Sequence, residues 1–211
     1  FYPTTSAYGP FLNLTKSGDR FLDVRTAVMA SRAGNDALLR DWLLAGGNPN
    51  QYDEGGWTPL LAASVRGKAS AVSALLSARN AYPADPEMPF LKSGALPIHF
   101  AGQSGDVATA TALLQRSPEH LNAVWLLNGH SLLLQAVFYD HLPLAKYALE
   151  QGADTAITTA RGLSAEDLAK QFQNTAMVEL LRPFSAFSRE CSAYHETYRQ
   201  RITTYIPSRQ F

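Results

Sequence analysis

Thr58-Pro59-Leu60-Leu61-Ala62-Ala63-Ser64 and Leu96-Pro97-Ile98-His99-Phe100-Ala101-Gly102 align position by position, and each is followed by a glycine at the same offset, Gly67 and Gly105. The last alanine of this block recurs as Ala30, Ala63, Ala101, Ala136 and Ala169, at separations of 33, 38, 35 and 33 residues. Gly34, Gly67 and Gly105 stand four residues after the first three alanines, and Asp140 and Gln173 hold that place after the last two. Self-similarity at such a period means repeated units, each too small to bury its own apolar face and each stacked on its neighbours.

The rest of each block supports helix–turn–helix units. Behind the glycine position runs a second apolar stripe: Leu38, Trp42 and Leu43, then Val72, Leu75 and Leu76, then Val107, Ala110 and Leu114, then Leu144, Ala148 and Leu149, then Val178 and Leu181. Spacings of three, four and seven are helical. The first helix of each pair is short and rich in small residues, which lets thin layers approach closely. A glycine between the helices suits a tight turn at positive φ. Polar turns follow, as in Gly46-Gly47-Asn48-Pro49-Asn50 and Gly152-Ala153-Asp154, and the next block opens on turn residues such as Asp53-Glu54-Gly55-Gly56 or Asn128-Gly129. Thr58 and Ser164 are good helix N-caps, and Pro59 fits a first turn.

Thr-Pro-Leu-His-x-Ala-Ala, then Gly, then an apolar helix, then Gly-Ala-Asp is the pattern of the ankyrin repeat, and this chain resembles that family over about residues 20–182. Asp53, Gly56, Thr58, Pro59, Leu60, Ala63 and Gly67 carry the likeness in the second block; Pro97, His99, Ala101 and Gly105 in the third; Gly152, Ala153 and Asp154 in the fourth. Ser164-Ala165-Glu166-Asp167-Leu168-Ala169 looks like a closing repeat. The resemblance implies an all-α solenoid of about five stacked repeats (20–52, 53–91, 92–126, 127–159 and 160–182) with hairpin loops. Residues 1–19 are expected as an N-terminal arm and 183–211 as a C-terminal aromatic helix and tail. In that last segment Phe184, Phe187, Cys191, Tyr194, Tyr198, Ile202 and Tyr205 recur every three or four residues, as expected of a helix that caps the open end of the stack or, alternatively, binds a partner. Two stretches depart from the pattern. Tyr82 to Phe90 holds three prolines and is expected as a long hairpin loop projecting from one edge, and Pro118 to Leu127 is expected to replace the usual hairpin.

Composition narrows the functions. Of 211 residues 46% are hydrophobic and 17% charged, a globular balance. Lys plus Arg and Asp plus Glu number 18 each, so the basic surplus of a nucleic-acid binder is absent and no such partner is expected. No apolar run reaches the about 18 residues of a membrane span. The lone Cys191 excludes an intramolecular disulfide and a thiolate zinc site. Arginine outnumbers lysine 13 to 5, as in a GC-rich bacterial source. The chain begins with Phe1 and not Met, which leaves room for a removed signal peptide or another domain, so the compartment stays open between bacterial cytoplasm and periplasm.

No residue set reads as catalytic, cofactor-binding or metal-ligating. Gly67-Lys68 is followed by Ala69, where a phosphate loop needs a hydroxyl. His130 and Ser131 are neighbours without the setting of a triad, and His195, four residues after Cys191, lacks further ligands. His99 holds the place where the ankyrin histidine bonds the neighbouring turn, and His141 opens a second helix with a similar local role. The acidic pairs Asp53-Glu54 and Glu166-Asp167 suit turns and a helix start. Asn13-Leu14-Thr15 is a sequon that matters only in a secreted eukaryotic protein.

The resemblance also implies a concave groove, lined by hairpin tips and first helices, that binds a protein partner. Carried onto this sequence, its candidates are Arg32, Glu54, Trp57, Val65, Arg66, Lys92, Gln103, Ser104, His130, Phe138, Tyr139 and Arg161. Trp57, Phe138 and Tyr139 stand out because repeat packing does not require them and aromatic anchors dominate interfaces. The expected function is a non-catalytic binding module, monomeric alone, such as a bacterial adaptor or a toxin-neutralising immunity protein. A regulatory or substrate-recruiting domain of a larger enzyme is the alternative.

Overall fold

The computed structural model describes residues 23–77 and 83–184, together with the backbone of two short strands, Asn13–Leu14 and Arg20–Phe21, which pair antiparallel. The side chains of the arm, the aromatic stripe beyond Phe184 and the Cys191–His195 pair lie outside the described residues.

Among the described residues ten α-helices follow in five pairs: α1 (Val24–Ala33) with α2 (Asp36–Leu44), α3 (Pro59–Val65) with α4 (Ala69–Leu76), α5 (Pro97–Ser104) with α6 (Val107–Arg116), α7 (Leu132–Phe138) with α8 (Leu142–Glu150), and α9 (Ala165–Gln171) with α10 (Thr175–Leu181). The first helices pack in sequence, α1 on α3 on α5 on α7 on α9, and the second helices do the same behind them. The recurring alanines sit where the first helices meet; Ala63, Ala101 and Ala136 are fully buried and Ala30 and Ala169 nearly so. One continuous apolar core runs from Ala27 to Leu181. Trp42, Leu75, Leu114, Leu144 and Leu149 lie in it as the helical spacing implies, while Leu43, Leu76, Val107 and Val178 flank it half-buried. Leu39, Leu113 and Met177 extend the buried faces.

Local chemistry fixes where each helix starts. Thr58 Oγ1 accepts from the Leu61 N–H at 3.2 Å, and Ser131 Oγ accepts from the Leu134 N–H at 3.4 Å. Ser164 and Asp167 satisfy each other's backbone N–H groups. These bonds occupy donors that a helix cannot pair internally. The third pair has Leu96 at the cap, which offers no acceptor. His99 Nδ1 compensates by accepting from the Leu96 N–H at 3.0 Å.

Five left-handed residues in one register turn each first helix into its partner: Gly34, Gly67, Gly105, Asp140 and Gln173, with φ of 73°, 59°, 77°, 59° and 56°. In four repeats the next N–H returns to the carbonyl of the recurring alanine, as Asn35 does to Ala30 at 2.9 Å and His141 to Ala136 at 2.8 Å. Lys68, Asp106 and His141, each opening the next repeat's second helix, pack over Gly34, Gly67 and Gly105. Where Asp140 replaces the glycine, the Asn174 amide of the next repeat donates to its carboxylate.

The hairpins form a second ladder. Asp53, Phe90, Trp125 and Thr159 donate across their turns to the carbonyls of Trp57, Ala95, His130 and Leu163. Adjacent tips join through Leu91 N–H to Gly56 O at 3.3 Å, Trp125 Nε1–H to Ser93 O at 2.7 Å and Ala160 N–H to Asn128 O at 2.8 Å. Two expectations are corrected here. Residues 83–90 do not project. They are strapped to the preceding hairpin: Asn50 donates to Pro83 O and accepts from the Asp85 N–H, and the Tyr52 hydroxyl donates to Pro89 O at 2.8 Å. Nor is the hairpin after α6 replaced. A 3-10 helix, Pro118–Asn122, leads into a normal Trp125–His130 turn, and Asn122 accepts from the Asp154 N–H just as Asn50 does from Asp85.

At Gly46, φ 87°, an added Cβ meets open space, whereas at Gly105 it would lie 2.5 Å from the His141 ring. We expect Gly46→Ala to cost ~1 kcal/mol from backbone strain alone and Gly105→Ala ~2–4 kcal/mol, because His141 must also give up its site. Urea denaturation at neutral pH measures the difference; equal costs would refute the packing role of His141.

Candidate functional site

The residues two and three places after each recurring alanine end the first helices on one face of the stack. They are Arg32, Val65 with Arg66, Gln103 with Ser104, and Phe138 with Tyr139. The fifth repeat contributes Phe172, a residue absent from the sequence candidates. It stands three residues after Ala169 as Tyr139 does after Ala136, so the register alone could have found it. Glu54, Lys92 and Arg161 are exposed on the hairpin tips, Arg66 and Gln103 are exposed on the helix ends, and Ser104 is half-buried with its hydroxyl donating to Ala101 O.

Two aromatic groups divide this face. In the first, Trp57 packs against Phe90 and Phe100 with tilted rings at centroid distances of 4.2 and 5.2 Å. The Arg32 guanidinium lies 4.7 Å over the indole, in cation–π range. Trp125 and Tyr52 join the same cluster beneath the hairpins. Trp57 is thus half-buried among its own chain's side chains, and its ring is accounted for by packing within the molecule.

The second group faces outward. Phe138, Tyr139 and Phe172 are 44%, 41% and 48% exposed. Phe138 meets Tyr139 and Phe172 edge-on at 5.1 and 5.7 Å and His130 at 5.2 Å, while Tyr139 stacks near His141. His130, drawn in by its hairpin, is buried and not exposed as a groove residue would be. Burial holds its pKa below the ordinary histidine value, against an opposing contribution from Gln135, and its Nδ1 has no hydrogen bond of normal length and angle. Ser131 Oγ is engaged in capping α7, so His130 and Ser131 do not form a nucleophile–base pair.

His141 and His99 tie neighbouring repeats together. His141 Nε2 donates to Gln103 O at 3.0 Å. His99, fully buried, donates from Nε2 to Ala123 O at 3.0 Å and accepts at Nδ1, which fixes its neutral tautomer. Desolvation, partly offset by the bond to Ala123, lowers its pKa from 6.5 to about 4.

The repeated helix pairs, the left-handed turns and the histidine bridging two repeats converge with sequence comparison: the family model described as Ankyrin repeats (3 copies) matches residues 27–124. Over residues 27–124 the chain is similar to ankyrin repeats, and the described helix pairs form one all-α repeat solenoid. Curated proteins gave no match. Ankyrin repeats are in general protein–protein interaction modules, and the exposed aromatic group lies C-terminal to the matched span.

His99 makes this solenoid acid-sensitive. The unfolded chain takes up a proton below about pH 6.5 and the folded chain not until about pH 4, so stability falls as pH drops through that window. The full loss is on the order of 3 kcal/mol. Urea midpoints between pH 7.5 and 5 should decline, and His99→Asn should lower the midpoint at pH 7.5 while flattening the decline. An unchanged slope in the variant would disprove the assignment.

Proposed function

We propose that this solenoid is a non-catalytic binding module whose principal anchor site is the Phe138–Tyr139–Phe172 patch. The single observation that carries the reading is the exposure of three adjoining aromatic rings on the helix ends of two neighbouring repeats. Water-exposed aromatic surface of this kind marks interaction sites, and a ring in contact with a partner contributes more than its polar surroundings. The half-buried Arg32–Trp57 stack and the exposed charges of Glu54, Arg66, Lys92 and Arg161 extend the same face as a polar rim. The partner surface that fits presents one or two aliphatic or aromatic side chains to the patch and polar groups to the rim.

In its narrower form the reading is a dedicated one-to-one binder, either a bacterial adaptor or an immunity protein that occludes a toxin. Its support is a patch confined to two repeats and an arginine-rich, lysine-poor composition. A tagged full-length chain recovered from its native cells should bring down one stoichiometric protein. Phe138→Ala and Tyr139→Ala should each weaken that complex by about 2 kcal/mol or more, close to thirtyfold, without lowering the melting temperature. Leu44→Ala, 80% exposed at the end of a second helix, should leave affinity unchanged. Full affinity in the Phe138→Ala/Tyr139→Ala double variant would sink the proposed anchor site.

A further inference from the structure

The strap 83–90 and the 3-10 helix Pro118–Asn122 are where the chain departs from the repeat pattern, and they meet. Glu87 on the strap and Glu119 and His120 on the 3-10 helix bring two carboxylate oxygens and a ring nitrogen within 4.8 Å of one another. His120 is 2% exposed, Glu119 half-buried and Glu87 exposed. Among the described residues no Lys or Arg forms an ion pair with either glutamate. Asp85, two residues before Glu87, adds to the negative field at His120. Two carboxylates converging without a basic side chain repel each other, and a bound cation removes that cost.

We propose that Glu87, Glu119 and His120 are the protein ligands of a zinc-class divalent cation that staples the strap to the following repeat. One imidazole nitrogen and two carboxylate oxygens suit such an ion better than magnesium or calcium, which favour all-oxygen shells. Three protein ligands leave a fourth, water-filled position. Bonds of about 2.0–2.2 Å place tetrahedral ligands about 3.3 Å apart. The exposed Glu87 side chain is free to close the remaining gap, while His120, held in the 3-10 helix, is the fixed point. Glu87 and Glu119 are 32 positions apart, so no sequence spacing announces the site. This proposal stands apart from the aromatic patch, and its test needs no protein partner.

The full chain, stripped with a chelator and dialysed, would be titrated with zinc chloride by calorimetry and melted with and without zinc. One equivalent should bind in the micromolar range and raise the melting temperature, since affinity for the folded state alone adds to stability. Glu87→Gln should weaken binding about tenfold or more. Glu87→Gln/Glu119→Gln should abolish both the heat and the thermal shift while melting no lower than wild type without metal, because both substitutions relieve repulsion. Magnesium chloride should have no effect. The site is refuted by no zinc binding up to about 1 mM, by a thermal shift from magnesium equal to that from zinc, or by unchanged zinc affinity in the double variant, which would place the ligands among the other histidines or Cys191.

Discussion

Helices of seven to ten residues are too short to be stable alone, and each pair leaves one apolar flank uncovered. Everything else in the molecule depends on closing that flank against a neighbour at short range. The alanines where the first helices meet allow the approach, and the left-handed residue four places later turns the chain back so that the second helix covers the same flank. These two requirements are coupled. In four of the five repeats the N–H released by the left-handed turn bonds to the carbonyl of that alanine. The side chain that opens the next repeat's second helix then rests on the turn, as Lys68 does on Gly34 and His141 on Gly105. A single turn therefore serves the geometry of its own repeat and the register of the next.

The hairpins hold register by a different chemistry, made of hydrogen bonds between neighbours. Asn50 and Asn122 act alike in separate repeats, each accepting the N–H of the aspartate that begins the next turn. His99 works from the helix side, tying Leu96 within its own repeat and Ala123 in the next turn. Because these bonds are buried or half-buried, each partner left single would lose its hydration without compensation. That is why the irregular segments 83–90 and 118–122 are ordered despite their insertions: their backbone groups are paired, even where their sequences abandon the repeat.

The helical frame is readable from sequence because it rests on local rules. Alanine spacing, Thr58 and Ser164 caps, and glycines at positive φ each leave a mark within a few residues of where they act. The loops escape such a reading because what orders them comes from far along the chain. Nothing near Pro83 to Phe90 announces that Asn50 and Tyr52 will hold it. The candidate surface is partly legible for the same reason. Phe138 and Tyr139 stand out at fixed places after Ala136, and Phe172 obeys the same offset after Ala169. His130 illustrates the opposite case, since its burial is set by the hairpin that draws it under Phe138. Likewise the difference between Trp57 and Phe138 lies in what stands opposite them. Trp57 finds Phe90 and Arg32, whereas Phe138 finds Tyr139 and Phe172, themselves exposed.

That contrast separates residues that maintain the solenoid from residues available to a partner. Aromatic side chains on this face are not equivalent merely because they share a register. In the second and third repeats the strap supplies Phe90 as a lid, and the rings beneath it become a small core that stiffens the hairpins. No described strap reaches the fourth and fifth repeats, where hairpin 159–163 carries Arg161 and Gly162 at its tip and offers no ring to cover Phe138. The apolar surface left there destabilises nothing in the fold, because Leu132, Leu133, Leu134 and Leu168 already fill the core beneath it. The same surface, removed from water by a partner, would contribute about 25 cal/mol per Å². On the proposed reading, this face gains affinity at one end without loss of stability at the other, and the irregular strap is what distinguishes the two ends.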